Sequence, residues 1–166
     1  MGVTDAKSKG LTLAPGSAAP TFTLETDTGA QLSLESLRGK AVVLYFYPKD
    51  DTTGCTLEAC EFRDLFPRFS LSGAMVLGIS PDSARKHRNF KEKYNLPFTL
   101  LVDAGHSVSE RYGVWVEKTL YGRKYFGVER STFIIGGDGR IKVVFRKVKA
   151  EGHAIEVADA LKTLGV

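Results

Sequence analysis

The seven residues Ala41-Val-Val-Leu-Tyr-Phe-Tyr47 are apolar at nearly every position. A strand with one wet face alternates, so a run like this reads as a central strand covered on both faces. The chain must then supply layers for both sides of that strand. Ala74-Met-Val-Leu-Gly-Ile-Ser80 is a second buried run and Thr99-Leu-Leu-Val102 a further strand. Thr21–Thr26 alternates and reads as a strand, Asp27-Thr-Gly29 as a turn, and Gln31–Leu34 as a second short strand. Glu35–Arg38 suggests a turn of helix closed by Gly39. After Gly54, the residues Ala59, Phe62, Phe66 and Phe69 recur at spacings of three and four, the stripe of a core-facing helix. Pro67 kinks or ends that helix near Leu65. Pro81-Asp-Ser opens a helix to about Tyr94, and Ser107–Tyr112 forms a short one. A Gly- and aromatic-rich stretch then runs to Gly127. Residues 131–135 and 140–146 flank Gly136-Gly-Asp-Gly139 and read as a hairpin. Residues 153–164 form a closing helix, with Ile155, Ala158, Leu161 and Leu164 on one face. This interleaving predicts an α/β fold with a mixed central sheet flanked by helices, compatible with a thioredoxin-like layout.

Length and charge narrow the class. A chain of 166 residues that is 43% hydrophobic is expected to form one folded domain. Residues 1–18 read as a flexible arm and 19–166 as the domain. The apolar runs are too short to span a bilayer. The polar N-terminus lacks an apolar signal core, so a cytoplasmic location is expected. The formal charge is +4. Without a run of five basic residues, neither a nucleic-acid nor a membrane patch is indicated.

Both cysteines fall within Pro48-Lys-Asp-Asp-Thr-Thr-Gly-Cys-Thr-Leu-Glu-Ala-Cys60. Two are too few for a disulfide scaffold. A zinc site needs two further ligands, and His87, His106 and His153 are scattered, so no metal site is expected. The Cys-x4-Cys spacing also differs from the Cys-x2-Cys of thioredoxin-type sites. Cys55 would sit in the first turn of a helix, where unpaired N–H groups and the helix dipole favour an anion. The hydroxyl of Thr52 and a nearby guanidinium would favour the reactive thiolate further. The plain alternative is a buried cysteine acting as a small hydrophobe. On an intact helix, Cys60 would be turned by about 140° from Cys55 and their Cα atoms would lie roughly 8–9 Å apart. A disulfide needs less than about 7 Å. The reduced chain is therefore expected to be helical here, and the oxidised chain frayed or looped between 55 and 60. Pro48 ends the strand, and Gly54 permits close approach of a substrate. Asp50 and Asp51 read as loop-solvating charges. Glu58, three residues after Cys55, is either a surface residue or a group that orients a guanidinium near the sulfur.

The segment Leu37–Cys60 resembles the peroxiredoxins, most closely the bacterioferritin comigratory protein/peroxiredoxin Q branch. The resemblance runs from about Leu11 to Leu164. It includes Ala19-Pro-Thr-Phe22, Tyr112-Gly-Val-Trp115, Tyr121-Gly122 and Gly127-Val-Glu-Arg-Ser-Thr-Phe133, with Pro48, Thr52 and Cys55 as the signature Pro-x3-Thr-x2-Cys. It implies a thioredoxin-like fold and peroxide reduction. Cys55 would be the peroxidatic and Cys60 the resolving cysteine. Pro48 would shield the pocket, and Thr52 would hydrogen-bond the sulfur and the peroxide. Arg130 would stabilise the thiolate and the leaving oxygen, with Glu58 holding it in place. The resemblance also implies a monomer with an intrachain disulfide, recycled by thioredoxin or a similar dithiol, with no metal, haem or flavin. Thr53 departs from the Pro of many relatives, and Gly136-Gly137 from their more usual Asp. Two other readings stay open: a general protein disulfide oxidoreductase, and a redox sensor or holdase-like chaperone. The stretch Trp115–Phe126 reads as packing over the sheet edge or as an apolar rim to a peroxide pocket.

Overall fold

The computed structural model describes residues 13–165. Its elements are β1 (Thr23–Thr26), β2 (Gln31–Ser33), a 3-10 turn (Leu34–Leu37), β3 (Ala41–Phe46), α1 (Thr53–Asp64), α2 (Phe66–Leu71) and β4 (Ala74–Ser80). Then follow α3 (Ala84–Tyr94), β5 (Thr99–Val102), α4 (Ser107–Arg111), β6 (Trp115–Leu120), β7 (Arg123–Val128), β8 (Ser131–Ile135), β9 (Ile141–Phe145) and α5 (His153–Leu164). Seven strands form one sheet in the order β2-β1-β5-β4-β3-β8-β9. Strands β3, β4 and β5 run parallel, while β1 and β8 pair antiparallel with β5 and β3. The sheet is therefore mixed and the fold α/β, as the pattern predicts.

The apolar run of β3 is buried at all six positions. Successive side chains point to opposite faces, and each face has its own core. Val43 and Tyr45 pack with Ala59, Phe62 and Phe69 of α1 and α2 and with Val157 and Leu161 of α5. Val42, Leu44 and Phe46 pack on the other side with Val108, Tyr112 and Phe133. The break expected near Leu65 is where α1 ends, with Pro67 in the first turn of α2.

One expectation is corrected, and two other stretches gain structural detail. The buried face of α5 is His153, Ala154, Val157, Ala158 and Leu161, whereas Ile155 and Leu164 are exposed. The two stripes share Ala158 and Leu161. The helix is rotated because buried His153 is pinned, its Nε2 lying 2.7 Å from Thr132 Oγ1. The Gly- and aromatic-rich stretch is a two-stranded ribbon, β6–β7, closed by Tyr121 and Gly122, both at positive φ, the geometry of a tight hairpin turn. Of the expected arm, residues 1–12 lie outside the described residues, and residues 16–19 run along the β8–β9 hairpin. Gly16 N–H donates to Ile141 O (2.8 Å), Ile141 N–H to Ser17 O (2.8 Å) and Ala19 N–H to Gly139 O (2.9 Å).

The glycine pair at 136–137 has a packing explanation at one position. A Cβ on Gly137 would sit 3.0 Å from the Gly39 carbonyl carbon and 3.1 Å from its Cα, and Gly39 N–H donates to Gly137 O at 2.9 Å. A Cβ on Gly136 would instead meet the movable end of Lys142. Gly137→Ala is expected to cost about 1–3 kcal/mol by overpacking, and Gly136→Ala clearly less. Urea midpoints of the two variants check this. Among the described residues no helix is long and apolar enough to cross a membrane.

Candidate active site

Strand β3 leads into the site. Tyr47 N–H still donates to Ile79 O (3.1 Å), but Pro48 has no N–H and ends the ladder. The loop that follows is gripped from α3 and β4. Asp51 takes a left-handed φ of 58°, and its carboxylate accepts hydrogen bonds from Lys93 Nζ (2.9 Å) and Tyr94 Oη (2.8 Å). These two bonds, the lysine's first, hold its carboxyl below the ordinary range. Asp50 is not a solvating charge. It is buried, its Oδ1 accepts from Tyr47 Oη (2.6 Å), its Oδ2 lies 2.7 Å from His87 Nδ1, and its N–H donates to Asp82 Oδ2 (2.8 Å). His87, fully buried, reaches Leu101 O with Nε2 at 2.8 Å. The clustering of Asp50, Asp82 and His87 is thus accounted for by hydrogen bonds that fix the loop.

Cys55 is the third residue of α1 and is buried, so its N–H is among those without an intrahelical partner. Arg130 Nη2 donates to its Sγ at 3.4 Å, and Nη1 donates to Glu58 Oε1 at 2.6 Å. Arg130 reaches this point because it precedes β8, whose Ser131 is paired with Phe46 at the end of β3. Gly54 has a defined purpose: a Cβ there would lie 3.1 Å from Arg130 Nη2. The close approach it permits is that of the arginine. Burial by itself would lower the pKa of Arg130, but Glu58 and Cys55 outweigh it and raise it above its ordinary value.

Glu58 is buried, not a surface residue. Burial pushes its pKa up to about 7, although Arg130 pulls the other way. Desolvation outweighs the ion pair because Oε2 has no hydrogen-bond partner among the described residues, and neither does the nearby buried Tyr45 Oη. The folded chain therefore holds this proton more tightly than the unfolded chain, where such a carboxyl titrates near 4.5. The resulting stability is whole below about pH 4.5 and is lost as pH rises through about 7, amounting to about 3 kcal/mol. The difference in urea midpoint between the wild type and Glu58→Gln should shift across that window. A constant difference would refute the assignment.

Thr52 caps α1 by position, but its hydroxyl donates to Lys49 O at 2.9 Å. Its proton is committed to the loop rather than to the sulfur, contrary to the expected bond. Thr53 is the first helical residue, where the Pro of relatives would lose no hydrogen bond. Cys60 is partly exposed and, like Cys55, free. Both lie on one unbroken helix, the arrangement expected of the reduced chain. The second half of α1 is anchored separately. Gly152 N–H donates to the Glu61 carboxylate (2.9 and 3.2 Å), Arg63 Nη1 donates to Tyr94 O (2.8 Å), and Phe62 stacks on Tyr45.

Lys118 is a second cation of this region that the sequence did not suggest. Its ammonium donates to Val128 O. Burial lowers its pKa first and Arg130 next, while Cys55 opposes them. It sits on the ribbon, far from the cysteines in the chain, so no spacing signals it.

Comparison with known proteins agrees with this geometry. Residues 15–144 match the model of the AhpC/TSA family. A putative peroxiredoxin bcp of Coxiella burnetii is 57% identical over 146 residues, covering 88% of this chain and 97% of that protein. The peroxiredoxin Bcp of Bacillus subtilis is 49% identical over 154 residues, covering 93% and 96%. Among solved structures, a Cys-to-Ser mutant of Xylella fastidiosa PrxQ matches with a TM-score of 0.89 at 36% identity, covering 94% and 99%. The Xanthomonas campestris bacterioferritin comigratory protein, a protein with alkyl peroxide reduction activity, matches with a TM-score of 0.83 at 36% identity, covering 98% and 96%. With both sequence and fold aligned over nearly its whole length, this chain belongs to the AhpC/TSA family, in the bacterioferritin comigratory protein/peroxiredoxin Q branch of the peroxiredoxins.

Proposed function

We propose that this chain is a thiol peroxidase that reduces hydrogen peroxide and organic hydroperoxides at Cys55, resolves the product with Cys60, and is recycled in the cytoplasm by thioredoxin or a similar dithiol. The observation that carries this reading is Arg130, which bonds Glu58 with one nitrogen and the Cys55 sulfur with the other. A guanidinium fixed in that way faces both the nucleophile and the oxygen that must leave. The Cys55 thiolate attacks one peroxide oxygen in line. The S–O bond forms as the O–O bond breaks, and the departing oxygen leaves as an anion that takes up a proton. Arg130 and the free N–H of Cys55 are donors already in place for that charge. Thr52 Oγ1, its proton occupied by Lys49 O, offers lone pairs to the O–H of the bound hydroperoxide. This makes it an acceptor that orients substrate.

The sulfenic acid on Cys55 is then attacked by Cys60, giving a disulfide and water. The intact α1 keeps the sulfurs from meeting, so its first half opens. Glu58–Arg130 is the ion pair that ties that half down, whereas Glu61 and Arg63 tie the second half to α5 and α3. On oxidation, amides 56–58, the first of α1 with helical hydrogen bonds (Thr56 N–H donates to Thr52 O at 2.8 Å), should lose hydrogen-exchange protection while 62–64 keep theirs. Equal protection across α1 in both redox states would defeat this step. A dithiol then reopens the disulfide by exchange.

Intact-mass measurement without reductant, after one equivalent of peroxide, tests the whole reading. The expected product is a monomer lighter by two hydrogens. A covalent dimer would overturn the intrachain assignment.

A further inference from the structure

The ribbon β6–β7 forms a separate two-stranded sheet. Its base is fixed, with Trp115 stacked on His106 at 4.0 Å and Val128 buried. Its outer part is exposed and carries large apolar groups: Tyr121 is 96% exposed, Phe126 59%, Leu120 55% and Tyr125 45%. Leu120 pairs with Arg123 and Lys118 with Tyr125, while Thr119 pairs with Lys124 and Glu117 with Phe126. Paired residues share a face and successive residues alternate. Leu120 and Tyr125 therefore lie on one face, Phe126 on the other, and Tyr121 at the tip.

A flat protein partner covers one face of such a ribbon and leaves the other wet. Insertion into a bilayer interface covers both faces and the tip together. The charges fit the same partner. Among the described residues Arg123 and Lys124 have no acidic side chain within ion-pair distance. A second copy of this chain, itself at +4, would set these cations against their own kind. We propose that the tip of the β6–β7 ribbon docks into the headgroup region of an anionic lipid bilayer, with Tyr121, Tyr125, Phe126 and Leu120 at the acyl boundary and Arg123 and Lys124 on lipid phosphates. Tyr is at home at that depth, and long basic side chains reach out to the headgroups. Strand β7 leads back from the tip to Glu129-Arg130, so the docked tip is continuous in the chain with the Arg130 end of the site. No long run of basic residues announces this surface, because Arg123 and Lys124 are a single pair set between Tyr121-Gly122 and Tyr125-Phe126.

Sedimentation of the full chain with large vesicles tests the proposal, and its outcome does not depend on the chemistry at Cys55. Mixed phosphatidylglycerol–phosphatidylcholine vesicles should retain at least about tenfold more protein than pure phosphatidylcholine, with binding falling as salt rises. The pairs Tyr121→Ser/Phe126→Ser and Arg123→Glu/Lys124→Glu should each abolish that retention. Unchanged circular dichroism and unchanged turnover of hydrogen peroxide would show that both variants fold. No retention of the wild type, equal retention on neutral vesicles, or retention unaffected by both variants would overturn it. So would light scattering that shows the variants splitting a dimer, which would make the ribbon an interface between copies of the chain.

Discussion

Cys55→Ser should consume hydrogen peroxide no faster than buffer, while Cys60→Ser should complete one turnover and stop unless a small thiol is supplied. The asymmetry follows from the positions of the two sulfurs. Cys55 is buried at the start of α1 with Arg130 Nη2 at 3.4 Å, and a serine hydroxyl there is too weak an acid to serve as the nucleophile. Cys60 lies off the core-facing stripe and is partly exposed, with no role until the sulfenic acid exists. Stopped-flow measurement of the first turnover separates the steps. Rapid peroxide consumption that survives Cys55→Ser would exclude Cys55 as the site of attack. A Cys60→Ser variant that turns over repeatedly with thioredoxin alone would exclude Cys60 as the resolving group. The same variant should accumulate sulfenic acid and pass more readily to the sulfinic form, because no partner removes the intermediate.

Much of the fold could be read from the chain because burial on two faces leaves a dense signal. The runs at β3 and β4 have few polar positions to confuse, and the stripe Ala59, Phe62, Phe66, Phe69 has a single period. Where both faces are wet, as in β6–β7, neither alternation nor a continuous apolar run survives to mark the strands. In α5 two overlapping stripes fit the sequence equally well. The bond between His153 and Thr132, a long-range contact, selects one. The site divides in the same way. Cys55, Cys60 and Glu58 share one helix, so their relation follows from helical geometry. Asp50 looks like a loop charge until β4 and α3 bring Asp82 and His87 against it. The direction of the Thr52 hydroxyl depends on where Lys49 O lies, which no local pattern encodes. Arg130 is indicated in the sequence by resemblance alone. Its physical justification is the antiparallel pairing of β8 with β3, which sets it beside the loop.

Arg130→Met should slow the first turnover by about 10²–10³-fold, the range seen when one preorganised donor to a developing anion is removed. The loss has two sources that a second variant can separate. Arg130 gives one nitrogen to Glu58 and the other to Sγ, so methionine removes both the charge and the fork. It also strands Glu58, which is fully buried. Removing the partner of a buried carboxylate costs about 3–5 kcal/mol if the group stays charged, and Glu58 escapes that cost by holding its proton to still higher pH. Arg130→Met should therefore be less stable than wild type above neutral pH and nearly as stable near pH 5. The double change Arg130→Met/Glu58→Gln should recover the alkaline stability without recovering the rate. Recovery of both would mean that Arg130 only neutralises Glu58. Arg130→Lys keeps a charge but cannot span carboxylate and sulfur with two parallel donors. A lysine variant as fast as the wild type would show that charge alone suffices. The expected result is a lysine variant that folds well and still reacts slowly, because the guanidinium acts through its two-pronged geometry.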